Sequence, residues 1–389
     1  MKIAVINSGS SSLKFSLFEM AGESVLLHVL IERIGEFSSN VVVEFGGTKR
    51  VITRVIANHH EAIEKVIKML QEYDLAKELC ELDAIAHRVV QGEEEFSKAV
   101  VIDNGVIAKI KEFIPLAPLH NPANLEGITV CRKKAPFVKQ VAVFDTAFHS
   151  TLPKEAYLYA IPHKFYEEHK IRRYGFHGTS HFYVAKEASK MLGKRLEECN
   201  FITLHLGNGS SACAIEQGRS VDTSMGFTPL EGLVMGSRSG DIDPAALIYM
   251  QRTLGMNLDE VDRMLNKESG LLGLCGENDV RAILERDDDE ASEAIAIMTR
   301  RIKKYIGAYM ALLGRVDGIV FTGGIGEHAP RIREAVLNNM ACEIRLDSEL
   351  NSKNATVISH AKSSVKLFVI ATNEELEIAR QSRDLLGNR

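Results

Sequence analysis

The sequence predicts an α/β fold built from two related halves, and three observations carry that expectation. Strand and helix signals alternate along most of the 389 residues. That length suits two domains, each large enough for its own core. And the chain turns the same sharp corner twice, in Ile3-Ala-Val-Ile-Asn-Ser-Gly-Ser-Ser-Ser-Leu-Lys-Phe-Ser-Leu17 and in Thr203-Leu-His-Leu-Gly-Asn-Gly-Ser-Ser-Ala-Cys-Ala-Ile215. Each is an apolar strand that breaks at a Gly, Ser and Asn turn and resumes as a second strand; Gly9-Ser10-Ser11 overlays Gly209-Ser210-Ser211. Such turns present backbone N–H groups and small hydroxyls, the chemistry that grips phosphate oxygens. Two of them predict two half-structures closing on one polyphosphate.

After the first hairpin, Ile63, Val66, Ile67 and Leu70 at helical spacing predict a helix over residues 61–79. Residues 82–90 read as a strand ending in polar residues, and residues 138–144 as another with Asp145 immediately after it. Thr179 or Ser180 is the predicted cap of a helix running to about Leu192. Asp243-Pro244 opens a helix, with Pro where its missing N–H costs nothing. The longest helix spans residues 290–313, with Ile295, Met298, Ile302, Tyr305, Ile306, Tyr309 and Leu313 on one stripe and Gly314 as its stop. The run Asp287-Asp-Asp-Glu290 is its solvated start. Gly318–Thr322 is a strand running into Gly323-Gly-Ile-Gly-Glu327 and a further helix. A last strand over residues 365–371 leads to Thr372-Asn-Glu-Glu375, a capping box opening the terminal helix.

Composition narrows the function classes. Hydrophobic residues at 45% and charged ones at 25% are ordinary for a globular protein. A net charge of −5 gives no reason to expect nucleic acid or an anionic membrane as partner. The first apolar run is too short for a signal-peptide core, and no segment approaches the roughly 20 apolar residues of a membrane span. Six cysteines, at 80, 131, 199, 213, 275 and 342, show no Cys-x-x-Cys spacing, which reads as reduced thiols in a cytosol. No low-complexity linker separates the halves, and the break is inferred near residue 150.

The residues that carry chemistry are individually weak signals. Each Gly-rich loop, the third being Thr322-Gly-Gly-Ile-Gly-Glu327, reads alone as turn punctuation; the three together point to a nucleotide. There is neither a full Gly-x-Gly-x-x-Gly nor a Gly-Lys-Ser/Thr P-loop. Arg238, in Met235-Gly-Ser-Arg-Ser-Gly-Asp-Ile-Asp-Pro244, offers a planar fork to a carboxylate or phosphoryl group, against a surface ion pair as the plain reading. The same two readings apply to Arg88. His177 and His181 are four apart, a zinc spacing, but position 178 is not Glu and the first His precedes the helix. Otherwise His177 is a core or surface histidine, or a polar donor beside Gly in a cleft. Asp145 at a strand end and Glu374 at a helix start are placed for Mg²⁺, or for capping and loop roles.

In combination these motifs resemble a known family. Asn7-Ser-Gly-Ser-Ser-Ser-Leu-Lys14, Tyr174-Gly-Phe-His-Gly-Thr-Ser-His181, His205-Leu-Gly-Asn-Gly-Ser210, Met235-Gly-Ser-Arg-Ser-Gly-Asp-Ile-Asp-Pro244 and Gly324-Ile-Gly-Glu327 closely resemble the acetokinase family. That family lies within the acetate and sugar kinase, heat-shock-70 and actin superfamily. The resemblance extends to the Thr372-Asn-Glu-Glu375 segment. It implies two duplicated ribonuclease-H-like (actin-like ATPase) domains, residues 1–148 with 376–389 and residues 149–375, with ATP in the cleft between them. It also implies reversible in-line transfer of the ATP γ-phosphoryl to acetate or another short carboxylate, with Mg²⁺ or Mn²⁺, in a cytoplasmic homodimer.

The resemblance also assigns residues. Asn7 and Glu374 match Mg²⁺ positions and Lys14 an ATP contact. Arg88 matches the substrate-binding position, His177 and Arg238 match transition-state stabilisers, and Asp145 matches a position described as acid/base. His205, Leu206, Gly207, Asn208, Gly209 and Ser210, with Asp279, Val280, Arg281, Gly324, Ile325, Gly326, Glu327 and His328, match nucleotide contacts. Val90, Leu119, Phe176 and Pro229 match an apolar pocket for the acyl tail. Three positions depart from the family pattern: His328 replaces Asn, and Arg88-Val-Val-Gln-Gly-Glu93 replaces Arg-Val-Val-His-Gly-Gly. They bear on the nucleotide base and the substrate entrance.

The charge of the acceptor shapes the expected mechanism. A carboxylate is already an anion at neutral pH and needs no general base. Its difficulty is approaching a negative γ-phosphate, which Arg88, Arg238, His177 and Mg²⁺ would answer by spreading positive potential. Asp145 is therefore expected to organise Mg²⁺ or its water rather than transfer a proton. Propionate or butyrate kinase is the alternative, since one methylene discriminates by only about 1–3 kcal/mol. From a different class, a non-catalytic nucleotide-driven interaction module of the actin or heat-shock-70 kind is possible on fold alone, but it has no carboxylate for the Arg88, His177 and Arg238 set to clamp.

Overall fold

Where the first apolar run breaks at Gly9, the backbone folds back, with the Gly9 N–H donating to Ser12 O at 2.8 Å. Strands β1 (Lys2–Ser8) and β2 (Ser12–Glu19) pair antiparallel, setting Asn7 opposite Lys14. The meander continues through β3 (Ser24–Glu32), β4 (Ser39–Phe45) and β5 (Thr48–Arg54). On the other side of β1 lies β6 (Ala84–Val89), parallel to it. After the short β7 (Val100–Val101) comes β8 (Lys139–Phe144), parallel to β6 and antiparallel to β7. The order is β5-β4-β3-β2-β1-β6-β8-β7. The helix His59–Glu72 buries Ala62, Ile63, Val66, Met69 and Leu70 in the core beneath the meander. It stops at Glu72 rather than near residue 79, because Asp74 adopts a left-handed φ of 53° and the N–H of Leu75 bonds back to Leu70 O. The structure is a computed structural model describing residues 1–118, 120–340 and 343–387. The chain divides into two compact units, Met1–Phe148 with Asn373–Arg389, and His149–Thr372.

The second unit repeats the first unit's plan. Strands β9 (Asn200–Leu206), β10 (Ser210–Glu216) and β11 (Arg219–Thr223) form an antiparallel meander. Strands β12 (Gly318–Thr322) and β13 (Lys366–Val369) extend it in parallel, giving the order β11-β10-β9-β12-β13. The run β3-β2-β1-β6-β8 of the first sheet has the same order and strand directions. The duplication is in topology, not only in two similar turns. By position within the hairpins, however, Gly9-Ser10-Ser11 corresponds to residues 207–209, two earlier than the overlay drawn from sequence, because β10 already begins at Ser210. The long helix Asp289–Leu313 buries Ala294, Met298, Ile302, Ile306 and Tyr309 in this unit's core, and Asp288 caps it by accepting from Ala291 N at 2.9 Å.

Two caps differ from expectation. The helix Gly178–Met191 starts after His177, so Thr179 and Ser180 lie in its first turn; Ser180 Oγ instead meets Nδ1 of His205 at 2.8 Å. The terminal helix Glu374–Gly387 is capped by Asn373, whose Oδ1 accepts from Leu376 N at 2.9 Å. Thr372 takes its hydrogen bond from Ser180 at 2.9 Å and belongs to the other unit.

Candidate active site

Three adjacent parallel strands bring their C-terminal ends together in the first unit, the place where open α/β sheets bind ligands. Asn7 lies near the end of β1, Arg88 near the end of β6, and Asp145 just beyond β8. The Arg88 fork is already engaged. Its Nε donates to Asp145 Oδ1 at 3.1 Å and its Nη2 to Asp145 Oδ2, while Nη1 donates to Asn7 Oδ1 at 3.2 Å. Glu374 Oε2, from the first residue of the terminal helix, approaches Arg88 Nε at 3.7 Å. Burial opposes the charge on Arg88, but Asp145 and Glu374 outweigh it and hold the guanidinium above its ordinary value. The surface ion pair weighed for Arg88 is instead a sheltered one, with Asp145 1% exposed.

Glu374 experiences the opposite balance. Burial raises its carboxyl above the usual range, Arg88 counteracts this, and Asp145 and Glu375 add to the rise. Two carboxylates and an amide oxygen thus surround one guanidinium, leaving an acid group in excess. A hard divalent cation that takes one or two carboxylates and shares its remaining positions with phosphates fits this donor set. Among the described residues no group of three His, Cys, Asp or Glu side chains could hold a metal on its own. Lys14, exposed on β2, adds a positive field at Glu374.

Around this cluster Val90 and Gln91 are fixed by a helix, Asn121–Lys134. Val90 N donates to Asn124 Oδ1 at 3.1 Å, Gln91 N donates to Asn121 Oδ1 at 3.1 Å, and Asn121 Nδ2 donates to Gln91 O at 3.2 Å. Gln91, one of the departures from the family pattern, is wholly buried; its Oε1 accepts from Glu93 N at 3.0 Å and its Nε2 has no partner among the described residues. Leu119 lies outside the described residues.

In the second unit His177 sits at the entry to its helix with a left-handed φ of 55°. Its Nδ1 is 2.9 Å from Ser211 Oγ, and its ring stacks on His205 at 4.2 Å. Both ring nitrogens of His181 are occupied by hydroxyls, Thr203 and Ser211, which removes the zinc reading of the His pair. Phe176 is buried, its carbonyl facing His149 Nε2 at 3.0 Å.

Arg238 is partly buried, and burial lowers its affinity for a proton. Among the described residues it has no carboxylate partner: Nη1 donates only to Pro229 O at 2.9 Å and grazes Met235 Sδ at 3.8 Å. The loop that carries it is anchored by Asp241, which accepts from Gly232 N at 2.8 Å and from Tyr305 OH at 2.9 Å. A Cβ placed on Gly209 would lie 3.6 Å from His177 Nε2 and 3.8 Å from Arg238 Nη1, so the turn, the imidazole and the guanidinium meet at one point.

A cavity of about 480 Å³ lies beside that turn. It brings together Gly207, Asn208, Asp279, Val280, Arg281, Gly324, Ile325 and His328, eight of the proposed nucleotide contacts from three separate segments, and adds Asn278 and Ala329. Sequence reasoning missed those last two, which only flank its motifs. His205, Leu206, Gly209, Ser210, Gly326 and Glu327 do not line the cavity. Glu327 turns inward, its Oε1 accepting from Gly323 N at 2.9 Å and so bracing the Gly-rich turn. Arg281 pairs with Asp279 at 2.7 Å, an exposed contact.

Comparison with known proteins finds relatives over nearly the whole chain. The Acetokinase family profile matches residues 2–380. The acetate kinase of Sulfurimonas denitrificans is 58% identical over 387 residues, covering 99% of this chain and 100% of the relative. The crystal structure of Porphyromonas gingivalis acetate kinase superposes with a TM-score of 0.92 at 42% identity, over 99% of each chain. That of a propionate kinase from Francisella tularensis gives 0.93 at 44%, over 98% of each. The chain belongs to the acetokinase family.

Proposed function

We propose that this chain transfers the γ-phosphoryl group of ATP to acetate, reversibly, giving acetyl phosphate and ADP. The observation that supports it most is Arg238, a sheltered guanidinium with no carboxylate partner among the described residues, held beside His177 and a Gly-rich turn. An unneutralised buried cation is costly unless an anion completes it, and a transferring phosphoryl group is such an anion. The Arg88 cluster supplies the acceptor's side of the reaction. A carboxylate substrate attacks as the anion it already is, so Asp145 has no proton to remove; both its oxygens are engaged by Arg88, which supports an organising role. His177 contributes a ring nitrogen as hydrogen-bond donor. Asn7 and Glu374 would hold Mg²⁺, which when bound supplies charge neutralisation between the phosphates and the attacking carboxylate.

The cavity beside Asn208 and Asp279 is proposed to take the nucleotide. The domains are proposed to run over residues 1–148 with 376–389 and 149–375; the division of the fold after Phe148 supports the first boundary, while the division after Thr372 falls three residues before the second and puts Glu374 with the first unit. The five described cysteines are free thiols, which supports a reducing compartment, the cytoplasm. A homodimer is supported by the helix Pro244–Leu254, which has no buried residue although Ile248, Tyr249 and Leu254 are apolar; a monomer mass by light scattering would reject it.

Hydroxylamine trapping tests the activity. With acetate, ATP and Mg²⁺ an acyl hydroxamate should accumulate, and none above a no-enzyme control would sink the reading. The solved relative described as a propionate kinase keeps a longer acyl chain in play, and kcat/KM for acetate, propionate and butyrate should rank the three.

A further inference from the structure

His181 is fully buried and each of its ring nitrogens meets a hydroxyl, Nδ1 at 2.7 Å from Thr203 Oγ1 and Nε2 at 2.8 Å from Ser211 Oγ. The same Ser211 Oγ lies 2.9 Å from Nδ1 of His177. Thr203, His181, Ser211 and His177 therefore form a continuous hydrogen-bond chain, and counting protons gives its direction. Ser211 has one hydroxyl proton between two imidazole nitrogens, so it donates to one and accepts from the other. Burial foremost, then His149 and His205, keeps His181 neutral, with a single ring proton. Suppose that proton sat on Nδ1 and pointed at Thr203. The Thr203 hydroxyl proton would then have no acceptor, since His181 is that buried oxygen's only partner among the described residues. An orphaned buried donor is disfavoured. In the other direction every proton is used: Thr203 donates to His181 Nδ1, His181 Nε2–H donates to Ser211, and Ser211 donates to His177 Nδ1.

We propose that Thr203, His181 and Ser211 are positioning residues that fix neutral His177 as its Nε2–H tautomer, so that the nitrogen facing away from Ser211 is a hydrogen-bond donor. The proposal rests on the reading of His177 as a donor to the transferring phosphoryl group, and it names what keeps the imidazole in that form. It also makes a second proton on His177 expensive. Protonating Nδ1 forces Ser211 to turn to His181, moves the His181 proton to Nδ1, and strands the Thr203 hydroxyl. Among the described residues, the titratable or charged groups seen against the chain include His205, stacked on His177 at 4.2 Å, His149, edge-on to His181 at 5.8 Å, and Arg238 across Gly209. His149 is itself held, its Nε2–H donating to Phe176 O at 3.0 Å and its Nδ1 facing Ser220 Oγ at 2.8 Å.

Nitrogen NMR of the full-length protein labelled at histidine, without nucleotide, reads the tautomers directly. At pH 8 both His177 and His181 should carry the proton on Nε2 and none on Nδ1; an Nδ1–H form of either overturns the proposal. Ser211→Ala removes the donor to His177, so the acid limb of the kcat profile should move to higher pH by about one pH unit. Ser211→Thr keeps a hydroxyl and should restore the wild-type limb. A purely structural Ser211 would lower stability and leave the limb in place, which also overturns the proposal. The tautomers are read without turnover, so failure of the catalytic reading shows separately, as a His177→Ala variant that retains its kcat.

Discussion

Two arginines of similar chemistry sit in opposite company. Arg88 is neutralised by Asp145 and steadied by Asn7, whereas Arg238 meets a backbone carbonyl and, among the described residues, no carboxylate. A charge already balanced in the resting protein suits binding the acceptor carboxylate from the ground state onward. A charge left unbalanced is the one that gains most as phosphoryl charge develops. Arg238→Ala should therefore fall mainly in kcat, by roughly 10²–10³-fold as for one electrostatic stabiliser. Arg88→Ala should show the larger rise in the acetate KM, with the ATP KM little changed. Steady-state kinetics decide it, and Arg238→Ala altering only the acetate KM would reverse the roles. The same contrast has a stability signature. Arg238→Met keeps the bulk and removes an unpaired sheltered charge, so the ligand-free protein should melt about 2–4 °C higher while losing activity.

At the scale of elements, the turn between β9 and β10 packs closely against Gly236. A Cβ on Gly236 would lie 1.9 Å from Asn208 Oδ1, and Gly236 N donates to Asn208 O at 3.0 Å. Gly236→Ala should displace Asn208 from the nucleotide cavity and raise the ATP KM by at least about tenfold, roughly 1.4 kcal/mol, with the acetate KM nearly unchanged; an unaltered ATP KM would separate that turn from the nucleotide. Strand β6 carries a pH sensitivity of its own. Burial lowers the His87 pKa to about 4, against a partly opposing hydrogen bond from its Nε2 to Gln140 Oε1 at 2.8 Å. The unfolded chain takes up this proton near pH 6.5, the folded chain only near 4, so stability is intact above 6.5 and declines as pH falls between the two. The full loss is about 3 kcal/mol, and urea unfolding of His87→Leu at pH 7 and 4.5 should show a shallower decline than the parent. These elements also divide what sequence could reveal from what it could not. The hairpins, the long helix and the Gly-rich turns were legible because local periodicity and turn chemistry specify them. The end of the first helix at Glu72 was not, since Asp74 had to be recognised as left-handed. Ser180 and Thr372 look like caps locally, and only tertiary contacts with His205 and with each other withdraw them. The pairing of Arg88 with Asp145, 57 residues apart, has no local signal at all. The meander β3–β5 and Asn278 likewise lay outside any motif.

Across the whole molecule, chain order and folding units do not coincide. The terminal helix begins after the second unit is complete, yet it packs on β1, β2, β6 and β8 and buries Leu376, Glu377, Ile378 and Ala379 there. Its far end is tied to the β2–β3 turn, where Glu23 meets Arg380 at 2.6 Å and Arg383 at 2.9 Å. Those partners, Arg380 first, hold the Glu23 carboxyl down at about 2, against a partial rise from burial, so the tie persists through mildly acid conditions. The first unit therefore lacks part of its core until the last residues are made, whereas the second closes its sheet with β13 at Val369. Fragments make this testable. Residues 149–372 alone should unfold cooperatively, because they contain their own long helix and both parallel strands. Residues 1–148 alone should expose the apolar surface that Ile378 and Ala379 cover, bind a hydrophobic dye and aggregate. Adding residues 373–389 through a flexible linker should restore a cooperative transition. A fragment of residues 1–148 that melts as sharply without the helix as with it would show that the terminal helix is an accessory to the first sheet and not part of its core.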